Sequence, residues 1–103
     1  MKKEKTEQIR RIKQMEKRLN RASSAVRRFS SALDKFEDVQ DAIATLDDYY
    51  GCELWRKDFA DDEAGLLPDD LKRGVLSEDA VWNLLSDYRE LINRLKGFVE
   101  TKK

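Results

Sequence analysis

The run IKQMEKRLNRASSAVRRFSSALDKF, residues 12–36, places apolar or small side chains at Ile12, Met15, Leu19, Ala22, Val26, Phe29, Leu33 and Phe36, in strictly alternating steps of three and four. That alternation is the heptad rhythm of an amphipathic helix, because side chains spaced this way share one face of a 3.6-residue turn. The seam continues as Val39, Ile43, Leu46 and Tyr50, and two successive steps of three, from Leu33 to Phe36 to Val39, mark a stammer-like shift of register. Upstream it is joined by Ile9. No glycine or proline occurs before Gly51, so the spacing predicts one helix over about residues 5–50, about 67 Å long at a rise of about 1.5 Å per residue. A competing reading breaks it between Asn20 and Ser24 or at Ser30-Ser31, where polar side chains compete for backbone hydrogen bonds.

Beyond Gly51 the punctuation changes. Residues 51–76 hold Gly51, Gly65, Gly74 and the only proline, Pro68. Leu54, Trp55 and Phe59 suggest a short helix ending before Gly65, and Pro68-Asp69-Asp70-Leu71 suggests one helical turn with proline at a first-turn position. Leu67, Leu71, Val75 and Leu76 are expected to face inward. Ser77 reads as an N-cap, with Glu78 and Asp79 in the dipole-favoured first turn and Leu76 and Val81 placed for a hydrophobic staple. From there a stripe of Val81, Leu84, Leu85, Tyr88, Leu91, Ile92, Leu95, Phe98 and Val99 predicts a second helix over about 77–100. The expectation is an all-α single domain, residues 1–103: a long N-terminal helix packed antiparallel with a shorter C-terminal helix, joined by a corner of short helical turns.

Charge is balanced in total, 21 basic and 21 acidic residues, but segregated along the chain. Residues 1–36 hold 12 Lys/Arg against 4 Asp/Glu, whereas residues 37–70 hold 2 against 12. The chain is therefore a dipole. A lone cysteine, Cys52, cannot close an internal disulfide, and the absence of histidine removes the commonest neutral metal ligand and the usual proton shuttle. Zinc and triad chemistry are not expected on those grounds. No apolar run approaches the roughly 20 residues of a membrane span, and the charged start leads into no signal-like segment, so a cytoplasmic location is expected.

A C-terminal helix of about 25 residues covers only about half of a helix of about 45. The uncovered part would expose Ile9, Ile12, Met15 and Leu19, an apolar stripe of the kind that marks association surfaces. A homodimer, as a coiled coil of two long helices or of two hairpins, or a partner helix would bury it.

Three groups of side chains could carry chemistry. The acids Asp58, Asp61, Asp62, Glu63, Asp69 and Asp70 could hold a hard cation, but the spacing fits no calcium loop and also suits helix-cap and turn residues. Glu37, Asp38, Asp41, Asp47 and Asp48 could imitate the facing carboxylates of nucleotide pyrophosphatase bundles, though without their repeated glutamate pattern. Arg10, Arg11, Lys13, Lys17, Arg18, Arg21, Arg27 and Arg28 could meet a phosphate backbone, yet no aromatic interleaves them and they equally suit a solvated helix face. Tyr49, Tyr50, Trp55, Phe59 and Trp82 read as core plugs at a helical corner. No cofactor is expected.

From Asp48 to about Leu91 the chain resembles an uncharacterised bacterial family, domain of unknown function 4298. The resemblance is carried by Tyr49-Tyr50-Gly51, Trp55, Asp58-Phe59, Asp62-Glu63-Ala64-Gly65, Leu67-Pro68, Asp70 through Asp79, and Asn83-Leu84-Leu85. It implies a small bacterial helical protein and transfers no catalytic residue. The corner it covers, with Asp58, Asp62, Glu63, Asp70, Lys72 and Arg73 bringing both signs together on punctuated backbone, is the candidate functional corner. The functional expectation is an interaction or scaffold protein acting by helix association. The alternatives are a metal-dependent nucleotide hydrolase using the acidic corner and a nucleic-acid binder using the basic helix.

Overall fold

A computed structural model describes residues 2–101. Four α-helices and one 3-10 helix make up the described chain, with no strand: α1 (Lys2–Asp38), α2 (Gln40–Tyr49), α3 (Glu53–Glu63), the 3-10 helix Gly74–Leu76, and α4 (Ala80–Thr101). The fold is all-α. Compactness divides the chain into two units, Met1–Val39 and Gln40–Lys103.

The first unit is α1. It runs unbroken through Asn20, Ser23, Ser24, Ser30 and Ser31, so the serines do not interrupt it. The interruption comes instead at Val39, and the long helix expected over 5–50 is two helices. There the Val39 N–H reaches only the carbonyl of Phe36, three residues back, at 3.3 Å. This is the place where the seam takes its two steps of three, so the tighter turn and the register shift coincide.

The second unit holds α2, α3, the 3-10 helix and α4. Gly51, at φ +81°, turns the chain after α2, and the left-handed backbone there suits a residue without a side chain. Cys52 then caps α3: its extended backbone precedes the helix and its Sγ accepts from the Trp55 N–H at 3.5 Å. The other end of α3 closes as a Schellman motif around Gly65, at φ +72°. The Leu66 N–H bonds the Asp61 carbonyl at 2.9 Å and the Gly65 N–H the Asp62 carbonyl at 3.0 Å, satisfying carbonyls the helix would otherwise orphan. Pro68 to Leu71, expected as one helical turn, instead forms a non-helical turn closed by Leu71 N–H on Pro68 O at 3.2 Å.

Ser77 serves two elements. Its hydroxyl donates to Gly74 O at 2.8 Å, ending the 3-10 helix, and accepts at 3.2 Å from the N–H of Ala80, the first residue of α4, so it caps the entry to a helix that begins three residues later than the start expected at 77. Leu76 and Val81, the staple pair on either side of that cap, are both buried, as is Leu85 one turn later. Those three are the buried hydrophobic core of the described residues. Leu71 and Val75 do not join it, at 47% and 41% exposed. The 3-10 turn points Leu76 inward, and Val75 contributes through its backbone: its carbonyl accepts the Trp55 indole N–H at 2.9 Å. Gln40, at the start of α2, accepts from the Tyr88 hydroxyl of α4 at 2.8 Å, and Tyr50, just beyond the end of α2, donates to the Glu78 carbonyl at 3.0 Å.

Candidate functional site

The corner is built on the end of α2, on α3 and on the loop that follows. Tyr50, Trp55 and Phe59 line up as an aromatic row. The Tyr50 and Trp55 rings meet edge to face at 5.2 Å, and Trp55 and Phe59 stack at 5.2 Å. All three are half-buried, and the polar handles of Tyr50 and Trp55 are spent on backbone carbonyls from the link that precedes α4 and from the 3-10 helix. Spending these donors on carbonyls 28 and 20 residues along the chain ties the punctuated segment down.

Of the charged residues singled out in the corner, the structure engages three in direct contacts. Asp58 accepts the Tyr49 hydroxyl at 2.6 Å. That bond, then burial, then the negative charge beside it push the Tyr49 phenol up to about 12. Asp62 pairs with Arg73, whose other guanidinium nitrogens donate to the carbonyls of Pro68, at 2.6 Å, and Leu71, at 3.3 Å. One planar fork thus holds the end of α3 and both ends of the Pro68–Leu71 turn, a task for which arginine's several donors suit it better than lysine's point charge. Glu63, Asp70 and Lys72 are exposed and stand outside this network.

The neighbouring acid Asp61 is occupied as well, pairing with Lys57 one turn away at 3.1 Å. The carboxylates therefore point to separate partners. Among the described residues, no group of three acids or cysteines converges as a metal would require. The contacts of Asp58, Asp62 and Arg73 tie α2, α3 and the Pro68–Leu71 turn to one another.

The second candidate is the seam on α1. Ile9, Ile12, Met15 and Leu19 are 50–59% exposed, Val26 and Phe29 are 68% and 56%, and no residue of α1 is buried. The cause is local: α1 is the whole of its unit, so that unit supplies no second element to cover the apolar side. The basic residues Arg10, Arg11, Lys13, Lys17, Arg18, Arg21, Arg27 and Arg28 are exposed on the same helix.

Comparison with known families decides the affiliation. A family model described as domain of unknown function (DUF4298) matches residues 12–96. The chain belongs to that family. The DUF4298 match is broader than the Asp48–Leu91 stretch whose motifs resemble it: it takes in most of α1, including Ile12, Met15 and Leu19, and leaves Ile9 outside. No curated protein and no solved structure matches the chain. Among the described residues no helix is long and apolar enough to cross a membrane.

Sequence reasoning missed two parts of the corner. Cys52 was legible only as a lone cysteine unable to close a disulfide, because cysteine is not among the usual caps. The Tyr49–Asp58 bond joins residues on different helices and leaves no periodic trace. The one available signal was a tyrosine beside a turn glycine, with acids following within a helix length.

Proposed function

We propose that this member of DUF4298 is an association module that works by helix-on-helix packing, with the α1 seam as its contact surface and the second unit as the folded body that carries it. In that body α2 and α4 form an antiparallel pair. The reading is supported by Gln40 meeting Tyr88 while Tyr50 meets Glu78, contacts that run in opposite directions along the two helices.

The observation that carries the functional reading is the exposed seam. Burying a large apolar side chain contributes about 1.5–3 kcal/mol. Ile12, Met15, Leu19, Val26, Phe29 and Leu33, each 37–68% exposed, would gain the lower part of that range on docking. Six such side chains from each of two helices outweigh the roughly 4–15 kcal/mol that association costs. The acidic corner offers no comparable drive, since three of its acids are already satisfied within the unit.

Sedimentation of the purified chain tests the proposal. The wild type is expected to sediment as a dimer at tens of micromolar, roughly the range of a moderate association, and Leu19→Asp/Val26→Asp is expected to be a monomer. A monomeric wild type at that concentration would sink the self-associating form. Heat evolved on adding Mg²⁺ with a nucleotide, or salt-sensitive retardation of a DNA or RNA fragment, would instead favour hydrolysis at the corner or nucleic-acid binding by α1.

A further inference from the structure

The seam has a property beyond its exposure: it is complementary to itself when reversed. Its spacing from Ile12 to Phe36 reads the same from either end, and so, roughly, does its pattern of sizes. Turned end for end about residue 24, α1 sets Ile12 against Phe36, Met15 against Leu33, Leu19 against Phe29, and Ala22 against Val26. Every phenylalanine then meets an aliphatic side chain, and the smallest residue meets a β-branched one. In a parallel pair the layers are instead like with like. Phe29 meets Phe29 and Phe36 meets Phe36, while Ala22 meets Ala22, so two bulky layers follow a hollow one. Cores are packed to near-crystalline density, and uneven layers leave either voids or strain.

Charge points the same way. Residues 2–20 carry 8 basic and 3 acidic side chains, a net +5, whereas residues 21–38 carry 4 and 3, a net +1. A parallel pair lays the two strongly basic halves side by side, and a reversed pair lays each against the nearly neutral half of the other. The parallel arrangement has one compensation, an Arg11–Glu16 pair across the interface on each side. Exposed pairs of that kind contribute little beside core packing. In the reversed pair the positions flanking the centre bring Ser23 level with Ala25, Arg18 level with Ser30 and Glu16 level with Ala32, so no like charges meet there. The area is also sufficient. Six seam side chains per copy, each on the order of 100 Å², remove on the order of 1,200 Å² from water, above the roughly 1,000 Å² a specific interface needs.

We propose that the occupant of the seam is α1 of a second copy of this chain, running antiparallel and in register about residue 24. This rests on the association reading above and adds the partner and its direction.

Pulsed dipolar spectroscopy on the full chain tests it. Cys52→Ser removes the native thiol while keeping a good N-cap, and Arg10→Cys places one spin label on the helix side opposite the seam. The antiparallel dimer is expected to give a label separation of about 45 Å, because the two sites lie about 28 residues apart along the paired axes. A 1:1 mixture with Cys52→Ser/Asp38→Cys is expected to add a distance of about 20 Å, residue 10 of one copy lying level with residue 38 of the other. A single short distance from Arg10→Cys alone would overturn the antiparallel assignment and leave self-association standing. No dipolar modulation at tens of micromolar, with the helix content of the wild type retained, would overturn both.

Discussion

Tyr49 donates its hydroxyl to Asp58 over 2.6 Å, and its phenol is pushed from 10.0 up to about 12. A group whose pKa is higher in the folded chain keeps its proton longer there than in the unfolded chain. The stability it contributes is therefore complete below about pH 10, declines between about 10 and about 12, and is gone above that. Because the site is half-buried and reached by solvent, the bond contributes about 1 kcal/mol, less than the shift would convert to directly. Tyr49→Phe is expected to lower the urea midpoint at pH 7 by an amount equivalent to about 1 kcal/mol, and to remove a tyrosine titration near pH 12 from an ultraviolet pH scan. Its stability is also expected to fall less steeply than the wild type's as the pH passes 10. An unchanged highest-pH titration in the variant would assign the shift to another tyrosine. Arg73 shows the same economy at one residue: a single fork fixes the end of α3 and the Pro68–Leu71 turn, and lysine could not span those three acceptors at once.

At the level of elements, the glycines separate conformation from packing. Neither Gly65 nor Gly97 has anything within 4 Å of where a Cβ would sit, but Gly65 lies at φ +72° and Gly97 inside α4. Alanine at 65 is expected to cost about 1–2 kcal/mol for the left-handed backbone alone. Alanine at 97 is expected to stabilise by about 0.5–1 kcal/mol. Opposite signs in paired thermal melts check both, and a neutral Gly65→Ala would mean the Schellman closure re-forms without glycine. These elements were the legible part of the chain. The seam, the end of α3 at Gly65, the Pro68 turn and the Ser77 cap with its Leu76–Val81 staple each rest on neighbours within a turn or two, and local chemistry is what sequence records. The break at Val39 is different. It carries no glycine, proline or serine, and its single trace is the pair of three-residue steps around Phe36, which reads as a register shift in an unbroken helix. The corner's long-range ties, Trp55 to Val75 and Tyr50 to Glu78, were invisible because their acceptors are backbone carbonyls, which every residue has. The inward placement expected of Leu71 and Val75 failed for separate reasons: Leu71 closes a single hydrogen-bonded turn and not a helical one, and in the 3-10 helix it is Leu76, not Val75, that takes the buried side.

For the whole molecule, the two units should differ in what holds them together. The second unit has a buried core and hydrogen bonds between α2 and α4 and from Trp55 to Val75. The first has a helix of 37 residues with no buried side chain. A helix of that length rich in lysine, arginine and glutamate is only partly formed by propensity in water, since most helical stability in proteins comes from packing. If α1 is completed by a second copy, its order must follow mass action, and α4's must not. Diluting the protein from tens of micromolar to well below the dimer's dissociation constant is therefore expected to raise amide hydrogen exchange across residues 12–36, while Val81 to Leu85 keep their protection. Circular dichroism should lose part of its helical signal over the same range, in one step whose midpoint tracks the sedimentation equilibrium. Leu19→Asp/Val26→Asp should show the diluted pattern at every concentration. Protection of residues 12–36 that is equally high at all concentrations and in that variant would mean α1 is stabilised within one chain, and the seam would then have no second copy to explain.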